Sequence, residues 1–480
     1  MLAAAVAALY FLFFFRLDGV GLIGPDEPRY AAIGREMARS SDFITPRLWG
    51  QAWFEKPPLI YWMAAAGFRA GLNSELAPRL PVALLSAAFL LFFFRMLRRE
   101  FGARAAFLST AILATSAGWL AFSHAAVTDL PLAATFSASM LRCLPWIERG
   151  ERRGLAPAAA LLGAAVLAKG LVPLVLAAPL FWFGRKRLRD LLRPAPLAAF
   201  AVVAVPWYAL VTARNGAAFL QDFFLKHHFE RFASDTLQHV QPVWFYIPVL
   251  LAGLFPWTPL VAALFRKGEW KDPRRRFLAA LVVFGFVFFS AAENKLPGYL
   301  LPLVPALAAL LGTALAESRL AAPLLGASAA LLVFIPTGAA ILPQAMLRGI
   351  THTETPAIPW AAAFATGVLA AAVFVVARSG RRTAAAAAVA SGVLASVVWL
   401  QIAVFPALDR AASARLLWRE IAAHRGTACI GDINRGWRYN LNYYSVTPLA
   451  DCASPSALPR IEQKPGRPPY FLDFSGFSAF

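Results

Sequence analysis

Long apolar runs separated by short basic loops set the pattern of this chain. An α-helix needs roughly 17 to 25 apolar residues to cross the hydrocarbon of a bilayer, and segments such as 384–405 meet that requirement. The runs lack the alternation of barrel strands, and only helices or closed barrels satisfy the backbone in lipid. The pattern predicts thirteen candidate spans, at about 1–15, 77–97, 103–123, 128–147, 155–168, 170–184, 195–213, 243–265, 276–291, 296–314, 319–342, 359–377 and 384–405. The expected fold class is therefore an all-α polytopic membrane protein. No basic residue precedes the first run and no small-residue cleavage site follows it, which predicts an uncleaved anchor. Either Arg16 snorkels at its end or the true start lies upstream.

Composition agrees with a membrane as the solvent: 59% of residues are hydrophobic, and the mean hydropathy is +0.59. The net charge of +20 has the wrong distribution for a nucleic-acid surface. Most of the Lys and Arg lie in alternate short loops, as Arg95/Arg98/Arg99/Arg104, Arg142/Arg149/Arg152/Arg153, Arg185/Lys186/Arg187/Arg189/Arg193 and Arg266/Lys267/Lys271/Arg274/Arg275/Arg276. Short basic loops stay inside, so an inside amino terminus places the segments 16–77, 214–242 and 406–480 outside. The tail alone has a soluble composition. It combines an amphipathic pattern at 415–424 with strand-like runs at 428–430 and 470–474. Two domains follow: a transmembrane domain over 1–405, with a long outer loop at 16–77, and a small α/β domain on the outer side over 406–480. Three cysteines exclude a disulfide scaffold and show no metal-ligand spacing. Cys429 and Cys452 are a candidate pair, because an outer domain meets oxidising conditions, and buried single cysteines are the alternative; the sequence leaves the two open.

The chemistry gathers on the predicted outer face. The first outer loop carries Asp26-Glu27-Pro28-Arg29-Tyr30 and then Trp53-Phe54-Glu55-Lys56-Pro57-Pro58. His124 and Asp129 fall between the third and fourth candidates, and Lys169 between the fifth and sixth. Lys226, His227, His228, Glu230 and Arg231 lie in the second long loop, and Glu293, Lys295 and Tyr299 before the tenth candidate. Ionisable groups at membrane depth are costly, so a convergent set marks a functional site. Its mixture of signs suggests an anionic substrate. Bland readings stand beside this one: Asp129 as a helix N-cap before Pro131, Lys169 as a snorkelling turn residue, His124, His227 and His228 as interfacial residues.

These motifs, together with Ala168-Lys169-Gly170, His228-Phe229-Glu230-Arg231-Phe232 and Asn294-Lys295-Leu296-Pro297-Gly298-Tyr299, resemble the aminoarabinose transferases that modify lipid A. That family sits within the protein-mannosyltransferase-like clan of GT-C fold enzymes. The resemblance covers nearly the whole chain and implies the GT-C fold, with about thirteen transmembrane helices and a small C-terminal α/β periplasmic domain. It also implies a polyprenyl-phosphate sugar donor, undecaprenyl in bacteria, and direct inverting transfer in the inner membrane. The residues agree: no GxGxxG loop follows a strand, and the site faces away from the cytoplasm where nucleotide sugars are made.

On this reading Asp26 is the general base that takes the acceptor's proton, with Glu27 and Asp129 as the neighbouring catalytic carboxylates. Arg29, Lys56, Lys169, Arg231, Lys295 and Tyr299 would hold the lipid phosphate. The resemblance further implies a divalent metal, zinc or manganese, at Glu55 with His227 or His228. The acceptor stays open among lipid A, another envelope glycolipid, a protein Ser/Thr and a polysaccharide, and the sugar among aminoarabinose, mannose and other pentoses or hexoses. A transporter or flippase for polyprenyl-phosphate lipids is the competing class, although the sequence shows neither the inverted repeats nor the broken midplane helices of such proteins, and its charges gather on one face.

Overall fold

The computed structural model describes residues 2–480 apart from 224–240, 266–268, 355, 358, 425, 455–456, 474–477 and 480. Among the described residues, six helices are long and apolar enough to cross a membrane: Leu76–Ala114, Pro194–Phe223, Pro297–Glu317, Ala321–Arg348, Trp360–Arg378 and Arg382–Ala403. A bent pair, Val243–Gly253 with Thr258–Phe265, turns through 107° and makes a seventh if it counts as one span. Most of the remaining candidates fall on shorter or broken helices, while 276–291 lies on the unbroken helix Pro273–Ala291, whose first turn carries Arg274, Arg275 and Arg276. The 103–123 candidate, for example, continues the helix Leu76–Ala114 and then breaks before Ala117–Ser123.

The chain's own residues explain these breaks. Asn73 Oδ1 accepts from the backbone N–H groups of Glu75 and Leu76, closing a turn ahead of the helix Leu76–Ala114. That helix is interrupted at Gly102, whose φ of +84° only glycine adopts freely. The two candidates 77–97 and 103–123 are thus joined in one helix with a kink at Gly102, inside the stretch that carries Arg95, Arg98, Arg99 and Arg104.

Burial sorts the helices into a centre and a rim. The window within Pro297–Glu317 is 89% buried and packs along Leu76–Ala114, whereas that within Trp360–Arg378 is 11% buried. The outward side chains of this peripheral helix, such as Trp360, Phe364 and Val375, are apolar and exposed, as lipid requires. Asp129–Arg142 packs on Leu155–Lys169, which packs on Pro194–Leu220.

The first outer segment is more ordered than a loop. It contains the helices Asp26–Ser40 and Leu59–Arg69, packed on each other, and a two-residue antiparallel hairpin of β1 (Arg47–Leu48) and β2 (Gln51–Ala52). Asp26 and Glu27 occupy the first turn of the helix Asp26–Ser40, where backbone N–H groups favour carboxylates.

The tail carries a four-stranded sheet in the order β3 (Cys429–Ile430), β4 (Arg460–Gln463), β5 (Pro469–Leu472) and β6 (Ser478–Ala479). β3 pairs parallel to β4, and the others pair antiparallel. The amphipathic segment forms Arg415–Ile421 with a 3₁₀ turn over Ala422–His424, close to expectation; the helix Arg435–Ser445 is additional. Leu417, Ile421, Ile430, Leu441, Ile461 and Phe471 form a small core of the tail's own residues. Cys429 and Cys452 form a disulfide, and Cys143 is free and buried.

Candidate active site

Two ionic clusters converge where the first outer segment meets the bundle. In the first, Arg29 is the hub. It is 4% exposed, pairs with Asp26 one helical turn back, and places Nη1 2.8 Å from Glu55 Oε2. Lys56 Nζ lies 3.3 Å from the other Glu55 oxygen. The Asp26 side chain keeps 42% of its surface, so it is the carboxylate of this cluster that a substrate can reach. The Arg29 guanidinium also sits 5.6 Å from the Trp53 ring and 5.0 Å from the Tyr439 ring, the latter supplied by the tail helix Arg435–Ser445.

Next to this cluster, the Tyr61 hydroxyl is fully buried and makes no hydrogen bond among the described residues, and neither do the indole N–H groups of Trp49 and Trp53. Burial, followed by the Glu55 carboxylate, pushes the Tyr61 hydroxyl well above the ordinary phenol range, so it remains a donor.

Glu27 points away from Asp26. Its Oε1 accepts from Arg79 Nε at 2.7 Å and from the Ala126 N–H at 2.9 Å; its Oε2 accepts from Arg79 Nη2 at 2.8 Å and from the Ile23 N–H at 2.9 Å. Arg79 also donates to the carbonyls of Leu17, Val20 and Gly21. Glu27 is 3% exposed and every oxygen is used, which is the geometry of an anchor. Nothing in the sequence pattern had singled out Arg79. The available signal was a charge just inside the start of an apolar run, which reads equally well as a flanking residue.

The second cluster is Asp129, Lys169 and Tyr299. Lys169 Nζ lies 2.7 Å from Asp129 Oδ1 and 4.6 Å from the Tyr299 ring centroid. Both charged side chains are mostly buried, so neither is a snorkelling or solvent-facing residue. Gly298 makes the approach possible, because a Cβ there would stand 2.7 Å from the Asp129 carboxylate oxygen. The two clusters are joined through the backbone: Ala126, three residues before Asp129, is pinned to Glu27, the neighbour of Asp26.

Other expected residues lie elsewhere. Lys295 is 5% exposed and donates to the carbonyls of Gln241, at 2.9 Å, and Ala292. His124 bonds through Nδ1 to the Leu120 carbonyl at 2.9 Å. Arg231, His227 and His228 lie outside the described residues. Among the described residues no group of three His, Cys, Asp or Glu side chains converges, and Glu55 already faces two cations. The described residues alone therefore do not build a metal site.

The chain matches a family model, Dolichyl-phosphate-mannose-protein mannosyltransferase, over residues 55–211, a stretch that opens on Glu55 and includes Asp129 and Lys169. It is 33% identical over 339 residues to the undecaprenyl phosphate-alpha-4-amino-4-deoxy-L-arabinose arabinosyl transferase of Serratia proteamaculans, an alignment covering 66% of this chain and 60% of that protein. The protein of the same description from Aeromonas salmonicida is 35% identical over 326 residues, covering 63% and 58%. The alignments thus span less than two thirds of the relatives' own length. Among solved structures, the crystal structure of ArnT from Cupriavidus metallidurans bound to undecaprenyl phosphate superposes with a TM-score of 0.74 at 27% identity, covering 93% of this chain and 85% of that one. Its apo state gives 0.75 at 26% identity, covering 97% and 85%.

Fold and sequence together define a multi-pass membrane protein of the GT-C class. Within that class, the likeness is to the aminoarabinose transferases named ArnT.

Proposed function

We propose that this chain is an inverting glycosyltransferase that moves a sugar from a polyprenyl-phosphate carrier, of the undecaprenyl type, to an envelope glycolipid acceptor such as lipid A. The reading places the active site on the periplasmic face of the bacterial inner membrane. One observation carries it: a reachable carboxylate, Asp26, is held against a buried cation, Arg29, with Glu55 and Lys56 on the other side of that cation. The relatives' names supply the sugar, 4-amino-4-deoxy-L-arabinose, and the carrier.

In this mechanism the acceptor hydroxyl oxygen attacks the anomeric carbon. The bond from that carbon to the phosphate oxygen breaks, its electron pair leaves with the phosphate, and the hydroxyl proton passes to Asp26. A phosphate leaves as a stable anion, so no second carboxylic acid is needed to protonate it; this distinguishes the site from a glycosidase. Arg29, Lys56, Lys169 and Tyr299 receive the developing charge, with Asp129 holding Lys169 in place. Glu27 fixes the loop through Arg79, and Lys295 ties two backbone carbonyls. In the same reading the second-loop Arg231 adds a cation for the phosphate, and Glu55 with His227 or His228 would hold a divalent metal.

The test is transfer in vitro: purified protein, radiolabelled undecaprenyl-phosphate aminoarabinose and extracted envelope lipids. Label appearing in the acceptor lipids is expected. Intact lipid binding with no transfer across several donors and acceptors would move the assignment to a carrier of polyprenyl-phosphate lipids.

A further inference from the structure

The tail domain holds a basic cavity, apart from both ionic clusters described above. It has a volume of about 290 Å³ and is lined by Arg410, Leu416, Trp437, Lys464, Arg467 and Tyr470, among others. Leu416 and Trp437 give it an apolar floor, while Arg410, Lys464 and Arg467 are exposed at its rim. A fourth cation, Arg348, lies against the β4–β5 turn, with Nε 3.4 Å from the Gly466 carbonyl.

Among the described residues, no carboxylate lines this cavity. The two nearest in the chain are already paired: Asp409 with Arg415 at 2.6 Å, and Glu462 with Arg460 at 3.1 Å. Cations gathered without acids around an apolar floor are complementary to an anion attached to an apolar or sugar body. Position narrows the ligand further. Arg348 ends the membrane helix Ala321–Arg348, and Arg410 lies on the short helix Phe405–Ala412 that directly follows the membrane helix Arg382–Ala403. The cavity therefore stands at the membrane boundary, within reach of a headgroup whose acyl chains remain in the leaflet.

We propose that this cavity binds a phosphate of a phosphorylated glycolipid headgroup, holding the acceptor at a point remote from the atoms that react. The identity of that lipid as acceptor rests on the transferase reading; its binding does not.

The experiment measures binding by native mass spectrometry of the full chain in neutral detergent. The probes are a bisphosphorylated diglucosamine lipid, the same lipid dephosphorylated, and inorganic phosphate. The triple variant R410Q/K464Q/R467Q is compared with wild type and with K186Q/R189Q/R381Q, which removes equal charge from loops predicted on the opposite face. The wild type and the control variant are expected to bind the phosphorylated lipid alike, and the triple variant at least about tenfold more weakly, since hydrogen bonds to charged groups are lost. In transfer assays the triple variant should raise KM for the acceptor and leave kcat and the donor KM unchanged.

Equal binding by the triple variant, equal loss in the control, equal affinity for the dephosphorylated lipid, or displacement by inorganic phosphate at the lipid's own affinity would each overturn the proposal. The single variants K464Q and R467Q, whose side chains are exposed, give the same readout should the triple variant fail to fold. If wild type transfers no sugar yet shows the expected binding pattern, the transferase reading fails while the headgroup site stands.

Discussion

Lys169 Nζ and Asp129 Oδ1 stand 2.7 Å apart beneath the Tyr299 ring, brought together from helices whose ends lie 40 residues apart in sequence. Removing one member of such a buried pair strands the other, which is costly, whereas removing both is far less so. Lys169→Met and Asp129→Asn should each cut turnover and lower the melting temperature in detergent, and the double variant should recover part of the lost stability but none of the turnover. Gly298→Ala should resemble Asp129→Asn in activity, because the added methyl displaces the carboxylate. Additive stability losses in the double-mutant cycle would show that the pair is not coupled.

Asp26→Asn separates chemistry from folding. Its side chain is partly exposed, so the amide should be accommodated with an unchanged melting temperature, while turnover falls by roughly 100- to 10,000-fold if Asp26 is the base. Wild-type transfer by this variant would remove Asp26 from that role.

The Glu27–Arg79 pair should behave in the opposite way. Arg79→Ala leaves a buried carboxylate and three carbonyls without their donor, a loss on the order of 3–5 kcal/mol for the broken ion pair alone. Arg79→Lys should rescue little, because one ammonium cannot reproduce the fork that serves both Glu27 oxygens. Thermal unfolding followed by scattering or a thiol probe distinguishes this from the Asp26 variant, which keeps its stability.

Tyr61→Phe removes a buried hydroxyl that has no partner among the described residues. Without substrate the change should be neutral or slightly stabilising, since an unsatisfied buried donor is unfavourable. Transfer should nevertheless fall if that donor is kept for the substrate. Because the phenol pKa is raised, its loss should leave the pH profile between about 6 and 9 unchanged in shape. A variant as active as wild type would leave the hydroxyl without a task.

The Cys429–Cys452 bond closes a loop with a sequence separation of 23 inside a domain whose own core is small. Its reduction, or the double Cys→Ser change, should destabilise the tail by roughly 2–4 kcal/mol and leave the membrane helices intact. Limited proteolysis of the tail, followed with and without reductant, reads this directly.

Much of this organisation was legible before any coordinates. Apolar runs and basic loops located the bundle, and misplaced charges located both clusters, because lipid penalises a charge wherever it lies. The breaks were harder to read. The 107° bend between Val243–Gly253 and Thr258–Phe265 lies within one uninterrupted apolar run, and hydropathy carries no information on direction. The helices Asp26–Ser40 and Leu59–Arg69 went unseen because they are short and polar or mixed, and gain their order from each other. Glu27 and Asp26 are adjacent and chemically alike; only the partners of each, Arg79 far along the chain for one and Arg29 for the other, separate the buried anchor from the reachable carboxylate. Tyr439 was invisible for a similar reason, being an ordinary aromatic in the tail until the helix Arg435–Ser445 folds back over Arg29.

The Arg79 guanidinium has a consequence for biogenesis. Glu27 is made 52 residues before the arginine that holds it, and Arg79 sits at the start of a helix that must itself enter the bilayer. Until that helix is inserted, the first outer segment has no fixed floor and Asp26 no fixed position. Membrane insertion is thus the event that sets the site, so a chain stalled before its second apolar run would expose the motif without assembling the two clusters.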